Sequence, residues 1–306
     1  VIYPALAPSS RTVARLSGGA VVSEIKITYP VERDLQIITA PITDIVTGKV
    51  RRFIKIIRDV TREKVINRSK SEFISIAAHQ MRTPLSGIKW SMKLVLDGDS
   101  GPIGDKQKEM LQRAYDANER MIRLVADLLD VARIDEGRFG YEFKKASITD
   151  AIKAIVGASL LEAEHRNIKL SFAADTIPEF VFDPTRITLV VQNLVENSIR
   201  YTLPGGSVRV SIKGGGGGAT VMVEDTGVGI PRKELPRIFT KFFRAENIIR
   251  MQTEGSGLGL FIVRNVVRQH GGEIYVVSEQ DKGTKIWFTL PYDQARLVHM
   301  EAGKFE

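Results

Sequence analysis

FISIAAHQMRTPL, residues 73–85, decides how this chain is read. Phe73, Ile76 and Ala77 recur at spacings of three and four, the period of one helix face. The same run carries His79, followed by Gln80, Arg82, Thr83 and Pro84. The pattern begins upstream, where Asp59 or Thr61 can cap a helix and Val65 and Ile66 enter the same stripe. It continues to about Val95, with Pro84 costing an amide bond and a bend. Asp97-Gly98-Asp99-Ser100-Gly101-Pro102 then stops it. A second amphipathic helix is predicted from Asp105 to Ile134, with Leu111, Tyr115, Ile122, Val125 and Leu129 on its apolar stripe. A lone hairpin of this kind leaves apolar surface uncovered. Pairing two hairpins into a four-helix bundle covers it, so a homodimer is predicted.

At 306 residues and 34.0 kDa the chain is long enough for two or three cores. Three divisions are expected: residues 1–60, 61–136 and 137–306. The formal charge of +8 is spread through mixed-charge helices rather than gathered into a patch, so direct nucleic-acid binding is not expected. The absence of cysteine excludes disulfides and thiolate metal sites and fits a cytoplasmic segment. No apolar run reaches the roughly 20 residues that span a bilayer, so any inner-membrane anchor is expected upstream of Val1.

Ahead of the helices, Val21–Ile27, Leu35–Thr39 and Val50–Ile57 read as short strands, with a turn at Thr47-Gly48-Lys49 between the last two. Beyond Asp135-Glu136-Gly137 the pattern becomes α+β. Helices are predicted at Ile148–His165, Thr185–Tyr201 and Gly259–Gln269, and strands at Ile168–Phe172, Val208–Lys213, Thr220–Glu224, Glu273–Ser278 and Thr284–Leu290. Gly214–Gly218 joins two of these strands. It lacks the lysine and hydroxyl residue of a mononucleotide-binding loop and reads as a flexible turn.

Asn193 and Asn197 are four residues apart and share one helix face. Their amides could serve a Mg2+ ion and polyphosphate, although such a pair is commonly surface or capping. Asp225-Thr226-Gly227-Val228-Gly229-Ile230 adds a carboxylate at a strand end, followed by glycines that admit a ligand close to the backbone. Gly255-Ser256-Gly257-Leu258-Gly259-Leu260 sets small residues before a helix, where free amides can hold phosphate. Three compatible elements in one region point to ATP.

Together these motifs resemble, in the same order, those of the sensor histidine kinases of two-component systems over residues 64–291. FISIAAHQMRTPL resembles the phosphoacceptor box and QNLVENSIRYT the asparagine box. DTGVGI and GSGLGL resemble the glycine boxes, with RIFTKFFR resembling the phenylalanine box between them. The resemblance implies a dimeric four-helix bundle followed by an α/β-sandwich ATP domain of the kind shared with gyrases and heat-shock chaperones. It implies that His79 accepts phosphate from ATP and passes it to an aspartate of a cognate response regulator. Asn197, assisted by Asn193, would hold Mg2+. Arg200 and Arg244 would approach phosphate, Tyr201 would pack near adenine, and Asp225 would read its amino group. Gly227 and Gly229 would shape the base side, while Gly255, Gly257, Leu258 and Gly259 would shape the phosphate side. Ala245–Glu254 would form a mobile lid, and Arg82 would help hold the phosphorylated state.

One residue departs from the family pattern. Gln80 stands where an acid commonly orients the imidazole and takes its proton; a glutamine can hydrogen-bond but is no carboxylate base. Thr83, one turn past His79, matches a position that orients water for removing phosphate from the regulator. Residues 10–63 resemble more weakly the C-terminal half of a PAS sensor domain, through Pro41-Ile42, Gly48 and Arg58-Asp59-Val60-Thr61. Another mixed domain fits there too. A catalytically weak nucleotide-binding scaffold and a mechanical ATPase remain as alternatives, the first resting on Gln80.

Overall fold

The computed structural model describes residues 10–15, 20–44, 50–251 and 255–293. The chain divides into two compact units, residues 1–76 and 77–306.

The first unit holds an antiparallel meander of β1 (Ser10–Arg15), β2 (Val21–Ile27), β3 (Arg33–Thr43) and β4 (Val50–Asp59), in the order β1-β2-β3-β4. Apolar patterning marks three of these strands in the sequence but not β1. Gly48 and the turn assigned to Thr47–Lys49 lie outside the described residues. Isoleucines fix the register, Ile37 opposite Ile57 and Ile38 opposite Ile56. Phe53, Ile54, Ile56 and Ile57 leave β4 exposed along both faces.

The strand-to-helix junction is held by polar contacts. Asp59 Oδ1 accepts the Thr61 amide at 3.0 Å and the Thr61 hydroxyl at 2.6 Å, while Thr61 Oγ1 accepts the Asp34 amide at 2.9 Å. Those hydrogen bonds and Arg33, 2.5 Å away, hold the Asp59 carboxyl down at about 2. Lys64 reaches Glu24 at 2.7 Å and Asp34 at 3.2 Å, tying the first helical turn to β2 and β3. Here α1 (Thr61–Leu96) begins, and it runs through Pro84 into the second unit.

In the second unit α1 folds back on α2 (Asp105–Asp135) through a turn in which Gly98 and Gly101 take positive φ. Ala78 and Leu85 pack against Val125 and Leu129, and the buried Asn118 amide donates to the Leu85 carbonyl at 2.9 Å. A Lys89–Glu119 ion pair of 2.8 Å fixes the same register.

The remainder is a two-layer α/β sandwich. Its strands are β6 (Lys169–Ala174), β8 (Ser207–Gly215), β9 (Gly218–Asp225), β10 (Ile274–Glu279) and β11 (Gly283–Pro291), ordered β10-β11-β9-β8-β6. Only the β6–β8 pair is parallel. A small ribbon pairs β5 (Lys144–Ala146) with β7 (Phe180–Phe182). Helices α3 (Ile148–His165), α4 (Pro184–Tyr201) and α6 (Gly259–Gln269) lie over one face of the large sheet, and α5 (Glu246–Met251) is a short helix near the site. Alternation in β8 sends Val208, Val210 and Ile212 inward and Arg209 and Lys213 outward. They meet Val190, Val191, Leu194, Val195 and Ile199 of α4, each contributing about 1.5–3 kcal/mol on full burial. The glycine run turns tightly between β8 and β9, its outer residues continuing the ladder. The Asp183 side chain caps α4 by accepting the Arg186 amide at 3.0 Å, ahead of Pro184.

His270, which sequence patterning does not single out, is fully buried where α6 ends. Its Nδ1 donates to the Val266 carbonyl at 2.8 Å, and its Nε2 accepts the Asp183 amide at 3.1 Å. Burial holds its pKa below the ordinary histidine value.

Candidate active site

A cavity of about 820 Å3 opens between α4, the C-terminal end of β9, the turn before α6 and the α2 face of the hairpin. Asn193 and Asn197 line it from α4, with Arg200 and Tyr201 at that helix's end. Asp225 lines it from β9, and Gly229, Arg244, Gly255, Gly257 and Gly259 complete the wall. Gly227 and Leu258, also singled out in the sequence, stand behind this lining. The Gly227 amide donates to Asp225 Oδ1 at 2.9 Å, and the Leu258 side chain is buried in the core.

Each element presents its group for a local reason. Asn193 Nδ2 donates to the Leu189 carbonyl of its own helix at 2.9 Å, which turns Oδ1 toward the start of α6. A Cβ on residue 259 would fall 2.4 Å from that oxygen, so glycine there is what leaves the Asn193 amide in this orientation. Gly229, at φ 60°, passes so close to Glu279 that a Cβ would lie 1.9 Å from its carbonyl oxygen. The Asp225 carboxylate takes the Thr284 amide at 3.1 Å and the Ser198 hydroxyl at 3.1 Å, besides Gly227. Burial raises its pKa, and these hydrogen bonds oppose the rise. Ser198 lies inside the asparagine box, yet its role as holder of Asp225 becomes legible only once α4 and β9 are juxtaposed.

The residues fit a polyphosphate with a hard cation. The free Asn193 oxygen suits Mg2+, which prefers oxygen donors. The glycine turn opens onto the N-terminus of α6 beside Arg244, whose guanidinium would lie 3.5 Å from a Cβ at Gly255. Glu246–Met251, part of the segment read as a mobile lid, is helical with Ile248 and the preceding Ala245 buried; residues 252–254 lie outside the described residues.

His79, Gln80, Arg82 and Thr83 are elsewhere, exposed on α1. Ala78 faces the hairpin core, and one residue on, the helical period turns His79 outward. Two acids of α2, Asp127 and Asp130, also line the cavity, although no sequence motif marks them. Burial leaves the Asp130 carboxyl's pKa raised, although Arg186, Arg133 and Arg82 each act to lower it. Asp127 accepts a hydrogen bond from Ser256 at 3.0 Å, and burial pushes its carboxyl up to about 6. A second tie across the same junction joins Lys241 to Asp135 at 2.6 Å.

A glycine-framed cavity against a sandwich of this topology marks an ATPase-type nucleotide domain, here packed on a helical hairpin. Family comparison places both parts. Residues 69–137 match the His Kinase A (phospho-acceptor) domain, and residues 182–294 match the Histidine kinase-, DNA gyrase B-, and HSP90-like ATPase. The chain belongs to the sensor histidine kinases. It is 31% identical over 288 residues to Drug sensory protein A of Synechocystis sp., covering 90% of this chain and 43% of that protein. It is 30% identical over 249 residues to sensor histidine kinase WalK of Bacillus subtilis, covering 81% of this chain and 41% of that one. The crystal structure of full-length ShkA in complex with AMPPNP superposes with a TM-score of 0.60 at 25% identity, over 72% of this chain and 46% of that one. The chain thus spans about two-fifths of the length of these curated relatives. Among the described residues, no helix is long and apolar enough to cross a membrane.

Proposed function

We propose that this chain is the catalytic part of a two-component kinase that phosphorylates itself on His79 from ATP and hands the phosphoryl group to an aspartate of a cognate response regulator. The observation that carries this reading is the convergence of Asn193, Asn197, Asp225 and the glycine turn on one cavity, in the same compact unit as an exposed His79. Asp225 would accept a hydrogen bond from the adenine amino group, beside Tyr201 and the Gly227–Gly229 turn. Asn197 and Asn193 would hold Mg2+ through their amide oxygens, with Arg200 and Arg244 near the phosphates. The bound cation supplies charge neutralisation on the polyphosphate.

His79 attacks the γ-phosphorus through an unprotonated ring nitrogen. The bond to the β–γ bridging oxygen breaks, ADP departs, and the ring proton is given up afterwards. Gln80 holds the imidazole by hydrogen bonding and leaves the proton to water, because its amide has no basic oxygen at neutral pH. Arg82 offsets the charge of the phosphorylated ring. Thr83 orients water for hydrolysis of the regulator's phosphoaspartate, giving phosphatase activity. The regulator docks on the hairpin around His79. Two copies pair through their hairpins, and residues 10–63 act as a PAS-like coupler feeding α1. The divisions 1–60, 61–136 and 137–306 follow these roles.

Incubation with radiolabelled Mg-ATP should give acid-labile, base-stable phosphate on the wild type and none on His79→Gln. Label that persists in the variant would overturn the assignment, and a wild type that binds ATP without labelling would favour the scaffold. Thr83→Ala should keep autophosphorylation and slow regulator dephosphorylation at least about tenfold, within the range by which positioned proton-transfer groups contribute.

A further inference from the structure

Asp127 stands on the hairpin, outside every motif that carries the kinase reading, yet it touches the turn expected to receive phosphate. Its Oδ2 accepts the Ser256 hydroxyl proton at 3.0 Å, and Ser256 Oγ in turn accepts the Leu258 amide at 3.2 Å. That amide belongs to the turn opening α6, among the N–H groups that a phosphate would seek. The hydrogen-bond chain therefore occupies a phosphate donor and sets a carboxyl group against the cavity.

We infer that Asp127 is a positioning residue of the nucleotide site: through Ser256 it holds the phosphate turn against the hairpin, so that polyphosphate and the docked hairpin compete for the same turn. This rests on the nucleotide reading above. The groups acting on Asp127 are Asp130 and Arg123 on its own helix and Glu196 on α4, with Ser256 from the α6 turn. Two of these are acids, so an arriving phosphate meets like charge on the hairpin side of the turn. Arg123 is the opposing cation. Phosphate is admitted when Asp127 takes a proton or when the ATP domain leaves the hairpin, the latter freeing that domain to travel toward His79. Burial raises Asp127 to about 6, so at neutral pH the carboxylate form prevails and undocking is the open route.

The test is calorimetric titration of the chain with the Mg2+ complex of a non-hydrolysable ATP analogue between pH 5.5 and 8. Wild-type affinity should weaken as pH rises through about 6. Asp127→Asn, which keeps size and an acceptor oxygen but loses the charge, should bind on the order of tenfold tighter at pH 7.5, within the usual range of coupling between sites. It should also lose the pH dependence. Asp127→Glu should retain that dependence, which a merely structural role would not predict. Ser256→Ala should tighten binding in the wild type and add nothing in Asp127→Asn. Asp127→Asn matching wild type in affinity and pH profile overturns the inference alone. A wild type that binds no nucleotide at any pH overturns the nucleotide reading and this inference with it.

Discussion

Helices α1 and α4 each carry a motif, and their surroundings differ sharply. On α4 the residues flanking the asparagines, Val190, Val191, Leu194, Val195 and Ile199, are sealed against the sheet. On α1 the large apolar residues around and beyond His79 face outward: Phe73 is 72% exposed, Trp90 66% and Ile88 50%. An isolated apolar side chain on a surface is ordinary, but several large ones along one helix mark surface awaiting a partner. The ATP domain is therefore finished within one chain, whereas the phosphoacceptor helix is expected to be finished only by a second copy.

Leu194→Ala tests the sealed side. It should lower the unfolding free energy by about 2–5 kcal/mol in urea titration, since the sandwich leaves little room to collapse around the hole. A loss below about 1 kcal/mol would erase the contrast. Trp90→Ala tests the open side, and should weaken self-association at least about tenfold by sedimentation with helix content unchanged, as expected of an aromatic anchor at an interface. Unaltered association would remove Trp90 from the dimer face.

Acid sharpens the same comparison more gently. The folded protein holds His270 neutral below the usual pKa of 6.5, so as pH falls through 6.5 the unfolded chain takes up a proton that the folded domain refuses. Stability should then decline by at most about 1.4 kcal/mol per pH unit until the lowered folded pKa is passed, with no pH dependence from this group above neutrality. His270→Gln should flatten that slope in thermal melts at pH 7 and 5. Identical acid slopes would show that the histidine is not the group responsible.

Long periodic elements are legible in the residues alone. The observed bounds of α3 and α6 agree with those expected from the sequence, and the β8–β9 hairpin follows from alternation around the glycine run. Short elements are not. Lys144–Ala146 and Phe180–Phe182 are too brief for a two-residue period to register, and each is a strand only because the other pairs with it. The cavity's motif residues can be read because their spacing has chemical meaning. Asp127 cannot, because on α2 it looks like one more solvated acid, and the residue that gives it a role is 129 positions away. His270 fails for a related reason: its partners come from a capping loop and a helix turn, and neither leaves a mark on its neighbours in sequence.

The approach of Asn193 to Gly259 reaches past binding. One atom fewer at position 259 is what allows an amide oxygen 66 residues earlier to sit where it does. The two positions are therefore tied: a Cβ at 259 would push the Asn193 amide oxygen out of its place. In an evolving lineage or a mutagenesis library the two positions should therefore vary together rather than singly.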